Sequence, residues 1–162
     1  MAFRKPMARK QGLKILAYGE DGSGKSIFLL TFPKIALIDT ESKIGVYENH
    51  PVFGKNLVAI ADTAEYYDVI KLAEDVLKNT ASYNTFGTDS ETNLYENMKV
   101  ASMEVEENKA KRKGYDLNDA QIQMRGWGKI GLNVARYKGL KVEMSAKGVT
   151  VITIAHMKPI LD

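Results

Sequence analysis

Apolar positions in this chain come as short uninterrupted runs and as helically spaced stripes, and the two patterns alternate. The run LKILAY at 13–18 closes on a glycine-rich stretch and reads as a buried strand. Residues 25–31 read as a short helix stopped by Pro33, because the position before a proline is pushed out of the helical region. IALID at 35–39 and LVAIA at 57–61 read as a second and a third strand. Asp62 and Glu65 have the spacing of a capping box. Behind them Tyr66, Val69, Ile70, Ala73, Val76 and Leu77 recur at helical intervals. Residues 84–89 fit no single template, since Phe86 is the clearly apolar side chain there and Gly87 weakens a strand. Ser90 can cap a helix running to about Lys113, with Gly114 as the residue that ends it. Residues 114–125 read as irregular. Trp127, Ile130, Val134, Tyr137, Lys141 and Met144, at steps of three and four, predict a last helix whose core face begins at Trp127 and which Gly148 ends. VTVITIA at 149–155 is the clearest strand, rich in β-branched residues. Strands alternating with helices of this length predict an α/β fold, a mostly parallel sheet flanked by helices.

Composition narrows the classes. A chain of 162 residues with 44% hydrophobic and 27% charged residues is that of one ordinary globular domain, which argues against disorder, collagen and coiled-coil rods. The absence of cysteine excludes a disulfide framework, a thiolate zinc site and a cysteine nucleophile, and fits a cytoplasmic location. No apolar run approaches the ~20 residues that span a bilayer, and no apolar core of a signal peptide follows the basic start; no membrane partner is expected. The net charge of +3 does not by itself mark a nucleic-acid binder. Its distribution says more. Arg4, Lys5, Arg9, Lys10 and Lys14 share the first 14 residues with no acid, so residues 1–12 read as a basic arm ahead of a core at 13–162. A second cluster, Lys109, Lys111, Arg112 and Lys113, follows Glu104, Glu106 and Glu107. It reads as a solvated helix end with a Glu107–Lys111 pair, and such a cluster can also meet phosphate.

The chemistry concentrates in Gly19-Glu20-Asp21-Gly22-Ser23-Gly24-Lys25-Ser26, which fits G-x-x-x-x-G-K-[ST], the P-loop. The glycines let the backbone turn so that successive N–H groups point at phosphate oxygens. The helix beginning near Lys25 and continuing through Ile27 turns its positive end to the same oxygens. Lys25 neutralises the β- and γ-phosphates, and the Ser26 hydroxyl ligates Mg²⁺. A strand before the motif and a helix after it supply the expected context. ATP and Mg²⁺ are the cofactors expected.

In open α/β sheets ligands lie at the carboxyl ends of the strands. Asp39, Thr40 and Glu41 end the second strand, and Glu41 there can act as general base on an attacking water. Asp89 ends the doubtful strand and can hold the metal ion's water shell, or simply cap the following helix. His156 ends the last strand and can contact the γ-phosphate, or be structural.

With GEDGSGKS at 19–26, LIDTE at 37–41, DSETNLYE at 89–96 and VITIAHMK at 151–158, the sequence resembles the RecA-core P-loop ATPases, in particular small phage-encoded relatives that act in single-strand annealing and recombination. The resemblance covers most of 13–158. It implies a P-loop NTPase core of RecA type, with Glu41 as catalytic glutamate, Asp89 at the Walker-B position and His156 as γ-phosphate sensor. It also implies self-assembly into a ring or filament, single-stranded DNA as a partner, a single-strand-binding protein as a further one, and the bacterial host cytoplasm as location. The strand before Asp89 departs from the family's apolar pattern with Asn84, Thr85, Gly87 and Thr88. RecA cores continue past the position of His156 with a DNA loop and more strands, so the chain reads as a fragment, a shortened product or a minimal core lacking those C-terminal strands, whose sheet edge would then need a partner.

Single-stranded DNA asks for cations and aromatic faces. In RecA-like proteins one DNA loop lies between the Walker-B helix and the sensor strand, and the resemblance places it at 108–127, with Lys109, Lys111, Arg112, Lys113 and Arg125 as candidate contacts beside Tyr115 and Trp127. Two other functions use the same motif: a P-loop kinase of a small molecule, with 108–125 as lid, and a nucleotide-binding structural or loader module without turnover.

Overall fold

Five parallel strands form one sheet in the computed structural model, which describes residue 8 and residues 10–157. The strands are β1 (Lys14–Gly19), β2 (Ile35–Asp39), β3 (Leu57–Asp62), β4 (Thr85–Asp89) and β5 (Thr150–His156), in the order β1-β5-β4-β2-β3. The helices are α1 (Lys25–Leu30), α2 (Tyr66–Lys78), α3 (Glu91–Lys113) and α4 (Met124–Ala146). Most of the basic arm expected at 1–12 lies outside the described residues. Among the described residues no helix is long and apolar enough to cross a membrane.

The period of two along each strand sorts the core into two layers. Ala36, Ile38, Phe86 and Val151 face one side and pack with Val69, Ile70 and Ala73 of α2, Leu94 and Met98 of α3, and Ile130, Tyr137 and Met144 of α4. Ile35, Leu37, Ile152 and Ile154 face the other side and pack with Leu29 and Leu30 of α1 and with Ile44. Because both faces are covered, central strands need not alternate in polarity, and β2 is buried at every position.

The stretch that fits no template is a fully buried central strand, β4. Its polar residues have partners far along the chain. Thr85 Oγ1 donates to the carbonyl of Pro33 at 3.0 Å, and the hydroxyls of Thr88 and Tyr137 lie 2.5 Å apart. Gly87 makes room for α1, since a Cβ there would stand 2.7 Å from Leu29 Cδ1 and 3.0 Å from Leu37 Cδ1.

Four local expectations are corrected. Asp62 belongs to β3 rather than to a capping box: α2 starts at Tyr66, and the Glu65 N–H is accepted by Thr63 Oγ1 at 3.1 Å. The ion pair on the basic end of α3 is Lys109–Glu106 at 2.6 Å, an i,i+3 pair in place of the expected Glu107–Lys111. The stretch 114–125 is not wholly irregular: it holds a 3₁₀ turn at Leu117–Asp119, and α4 already begins at Met124. Trp127 is left 46% exposed, and the core face of α4 begins at Ile130. As expected, Ser90 caps α3, accepting from the Asn93 N–H at 3.3 Å, and Gly114 ends it with a φ of 71°.

Helices α3 and α4 run antiparallel. Lys141 Nζ meets Glu91 Oε2 at 2.7 Å at the root, Met98 and Ile130 share the core above it, and Lys109 and Arg125 line one cavity near the tip. Tyr66, the first residue of α2, donates from its hydroxyl to the Asn133 carbonyl at 3.2 Å. That bond sets Asn133 level with the carboxyl edge of the sheet, so the start of α4 and the second half of α3 extend past that edge as a helical hairpin.

Candidate active site

The carboxyl edge gathers the P-loop and the three strand-end residues singled out by sequence. The chain leaves β1 at Gly19 and turns through Glu20 to Gly24 into α1. Gly22 and Gly24 have φ of 73° and 83°, in the region where an L side chain is strained, and this lets the loop curl. Lys25 Nζ lies back across the loop and donates to the carbonyls of Gly19 at 2.9 Å and Glu20 at 2.5 Å and to Ser23 Oγ at 3.2 Å. Ser23 Oγ donates to the Glu20 carbonyl at 2.7 Å. Ser26 Oγ, one residue into α1, donates to Asp89 Oδ2 at 2.5 Å. Ile27 follows it and is partly exposed.

Strands β2 and β4 end in register, Asp39 opposite Asp89, which brings the two following loops together. Thr40 Oγ1 donates to the Ser90 carbonyl at 2.9 Å and accepts from the Ser90 N–H at 2.8 Å. Asn93 Nδ2 donates to the Thr40 carbonyl at 2.5 Å. Asp39 is buried and shapes the loop: its carboxylate accepts from the Glu41 N–H at 3.0 Å and the Ile44 N–H at 2.6 Å.

This scaffold fixes Glu41. Its Oε1 accepts from Ser90 Oγ at 2.8 Å, and its Oε2 lies 2.6 Å from Lys43 Nζ. The His156 ring stands between two carboxylates, with Nδ1 2.6 Å from Asp21 Oδ1 of the P-loop and Nε2 2.8 Å from Glu41 Oε1. Both are close nitrogen–oxygen contacts that lack hydrogen-bond alignment. The His156 backbone N–H donates to Thr92 Oγ1 at 3.0 Å, tying β5 to the first turn of α3. Partial burial pushes the Glu41 carboxyl up, but the hydrogen bonds from Lys43 and Ser90, helped by His156, outweigh it and hold the carboxyl below its ordinary value. Asp89 moves the other way. Burial raises its carboxyl, and the charges of Glu41 and Asp39 add to this, against the bond from Ser26.

Ser26 and Asp89 therefore set a hydroxyl and a carboxylate side by side, hard oxygen donors that suit Mg²⁺, which takes its other ligands from phosphate and water. An open cavity of about 430 Å³ lies beside them, lined by Asp21, Thr40, Glu41, Ser42, Lys43, Asn93 and His156. The candidate DNA contacts stand apart from this site. Lys111, Arg112 and Lys113 are exposed on the last turn of α3, with Lys113 Nζ 6.0 Å from the centre of the Tyr115 ring. Lys109 and Arg125 line a second cavity of about 530 Å³, together with Tyr66, Tyr67, Met98 and Val105. Sequence reasoning missed Lys43, Ser90 and Thr92 as site residues. They reach it through the positive φ at Ser42 and the register of β2 with β4, neither of which leaves a local pattern.

A family model described as an AAA domain matches residues 11–159, nearly the whole chain. Among curated proteins no match is found.

Proposed function

The chain belongs to the AAA domain family, P-loop NTPases that bind nucleotide with Mg²⁺, and from that premise we propose that it is an ATPase of RecA-like type whose turnover depends on single-stranded DNA. The observation that carries the reading is Glu41: a carboxylate fixed from three sides, facing the P-loop from the tip of another strand, beside the Ser26–Asp89 pair.

The P-loop amides and Lys25 would hold the phosphate tail, Lys25 exchanging loop carbonyls for phosphate oxygens. Ser26 and Asp89 would hold Mg²⁺, which supplies charge neutralisation on the phosphates. Glu41 accepts a proton from water as the water oxygen bonds to the γ-phosphorus. The bond from that phosphorus to the bridging oxygen breaks, and its electron pair leaves with ADP. Positioning and charge stabilisation carry most of such a reaction. His156 touches both Asp21 and Glu41, which supports a role in reporting the state of the γ-phosphate to both sides of the site.

The basic tip of the hairpin, Lys109 to Lys113 with Arg125, would take single-stranded DNA, and the resemblance to phage-encoded annealing proteins supports a role in recombination. ATP would sit near a contact between subunits of a ring or filament.

Phosphate release from ATP–Mg²⁺, measured with and without single-stranded DNA alongside the mass of the assembly, tests the reading. The expected result is release without any acceptor, stimulated by DNA, and a Glu41→Gln variant that still binds ATP but turns over about 10²–10⁴-fold more slowly, the usual worth of a positioned base. Release only with a small-molecule acceptor would make it a kinase instead. ATP binding with no release would make it a non-enzymatic module, and normal hydrolysis by Glu41→Gln would remove the base assignment.

A further inference from the structure

Lys43 stands in none of the sequence motifs, yet the loop after β2 is built to deliver it. Asp39, buried at the strand end, ties down the N–H groups of both Glu41 and Ile44. Between them Ser42 takes a φ of 53°, left-handed backbone that a serine holds only where its surroundings impose it. This tight reversal returns the Lys43 side chain to Glu41, where Nζ rests 2.6 Å from Oε2 while the side chain remains 68% exposed. A pair needing no more than a surface ion bridge does not require a strained turn anchored on a buried carboxylate.

The surroundings indicate what the ammonium is for. Lys43 lines the open cavity of about 430 Å³ with Asp21, Glu41, Asn93 and His156, immediately beside the P-loop. Because Asp21 of the P-loop lines the same cavity, a nucleoside triphosphate seated in the loop would bring its terminal phosphoryl group to the side that Glu41 and Lys43 face. That group carries more charge than a single carboxylate, and a lysine is a mobile point charge with three donors on a four-carbon stem. Glu41 keeps its contacts to Ser90 and His156 if the lysine departs, so its position survives the exchange.

We propose that Lys43 is a phosphate-binding residue that passes from Glu41 to the terminal phosphoryl group of a bound nucleoside triphosphate, so that the site distinguishes triphosphate from diphosphate and frees one face of Glu41 only when the third phosphate is present. With a diphosphate, Lys43 stays on Glu41. The inference rests on reading the P-loop as a triphosphate site.

Calorimetric titration of the full chain with Mg²⁺ and either ADP or the non-hydrolysable analogue AMPPNP tests it without any turnover. Lys43→Ala should weaken AMPPNP about tenfold or more, in the range of one charge-assisted hydrogen bond, and leave ADP within about twofold. Lys43→Arg should keep most of the preference for the triphosphate, and Lys25→Ala should weaken both nucleotides. Equal loss of both nucleotides in Lys43→Ala, or no loss of either, overturns the role of Lys43. Binding discrimination by a wild-type protein that releases no phosphate would remove hydrolysis and leave this inference standing. A wild-type protein that binds neither nucleotide would end both.

Discussion

Asp89 is a buried carboxylate with no ion pair among the described residues; its side chain is held by the Ser26 hydroxyl alone. Burying such a charge disfavours the fold, and a carboxylate kept there in spite of this is a candidate for cation binding. The sign of the effect follows from the raised carboxyl. The folded state binds the proton more tightly than the unfolded chain, so the ionised form is a net cost at neutral pH, and that cost vanishes as pH falls through the folded-state value. Asp89→Asn should therefore melt higher than wild type at pH 7. The gap should close as the buffer is acidified, and turnover should be lost. Thermal melts of both proteins across pH check this. A variant that melts lower at pH 7 would mean that the Ser26 bond outweighs the burial and that Asp89 is a structural residue. Glu41, bonded to Ser90, the residue after Asp89, shows the opposite balance: its partners hold its carboxyl below the ordinary value and so keep it ionised.

At the scale of the element, β4 shows how a strand can hide from its own sequence. Thr88 faces α4 and shares a 2.5 Å hydrogen bond with Tyr137, whose hydroxyl is buried and pushed well above its ordinary range by desolvation. Tyr137→Phe leaves the Thr88 hydroxyl without its partner and should destabilise the protein by about 1–3 kcal/mol. Thr88→Val should cost a similar amount by orphaning Tyr137. The double variant should recover much of the loss, because an apolar pair of the same shape leaves nothing unsatisfied. Denaturant midpoints for the four proteins measure the cycle, and additive losses would show that the two hydroxyls do not depend on each other. This bond also explains what sequence could and could not reveal. Strands β2 and β5 and helix α2 were legible because their apolar spacing is local. Strand β4 was obscured because Thr85, Gly87 and Thr88 answer to Pro33, Leu29 and Tyr137, residues remote in the chain. The P-loop marked which end of each strand to read, and that was enough to place Glu41, Asp89 and His156 on one edge with it. Lys43 and Ser90 came into view only with the turn at Ser42 and the pairing of β2 with β4.

Across the whole molecule, α3 is the member that joins the two proposed sites. Its first turn belongs to the nucleotide end: Ser90 bonds Glu41, Thr92 accepts from His156, and Asn93 bonds Thr40. Its last turn carries Lys111, Arg112 and Lys113 in the open. A helix of 23 residues spans roughly 34 Å, and α4 braces it along the hairpin. Any tilt of α3 imposed by a ligand at the tip would thus be felt at the Ser90 and Thr92 contacts that position Glu41 and His156. The tip is where the electrostatic part of DNA binding can be separated from the rest. Replacing Lys111, Arg112 and Lys113 together by alanine should weaken a fluorescent single-stranded oligonucleotide. It should also flatten the slope of log affinity against log salt by about 2, since each phosphate contact on a single strand contributes roughly 0.7. Anisotropy titrations at several salt concentrations give both numbers. An unchanged slope would place DNA elsewhere on the molecule, and α3 would then be a brace for the nucleotide site with no message to carry from its basic end.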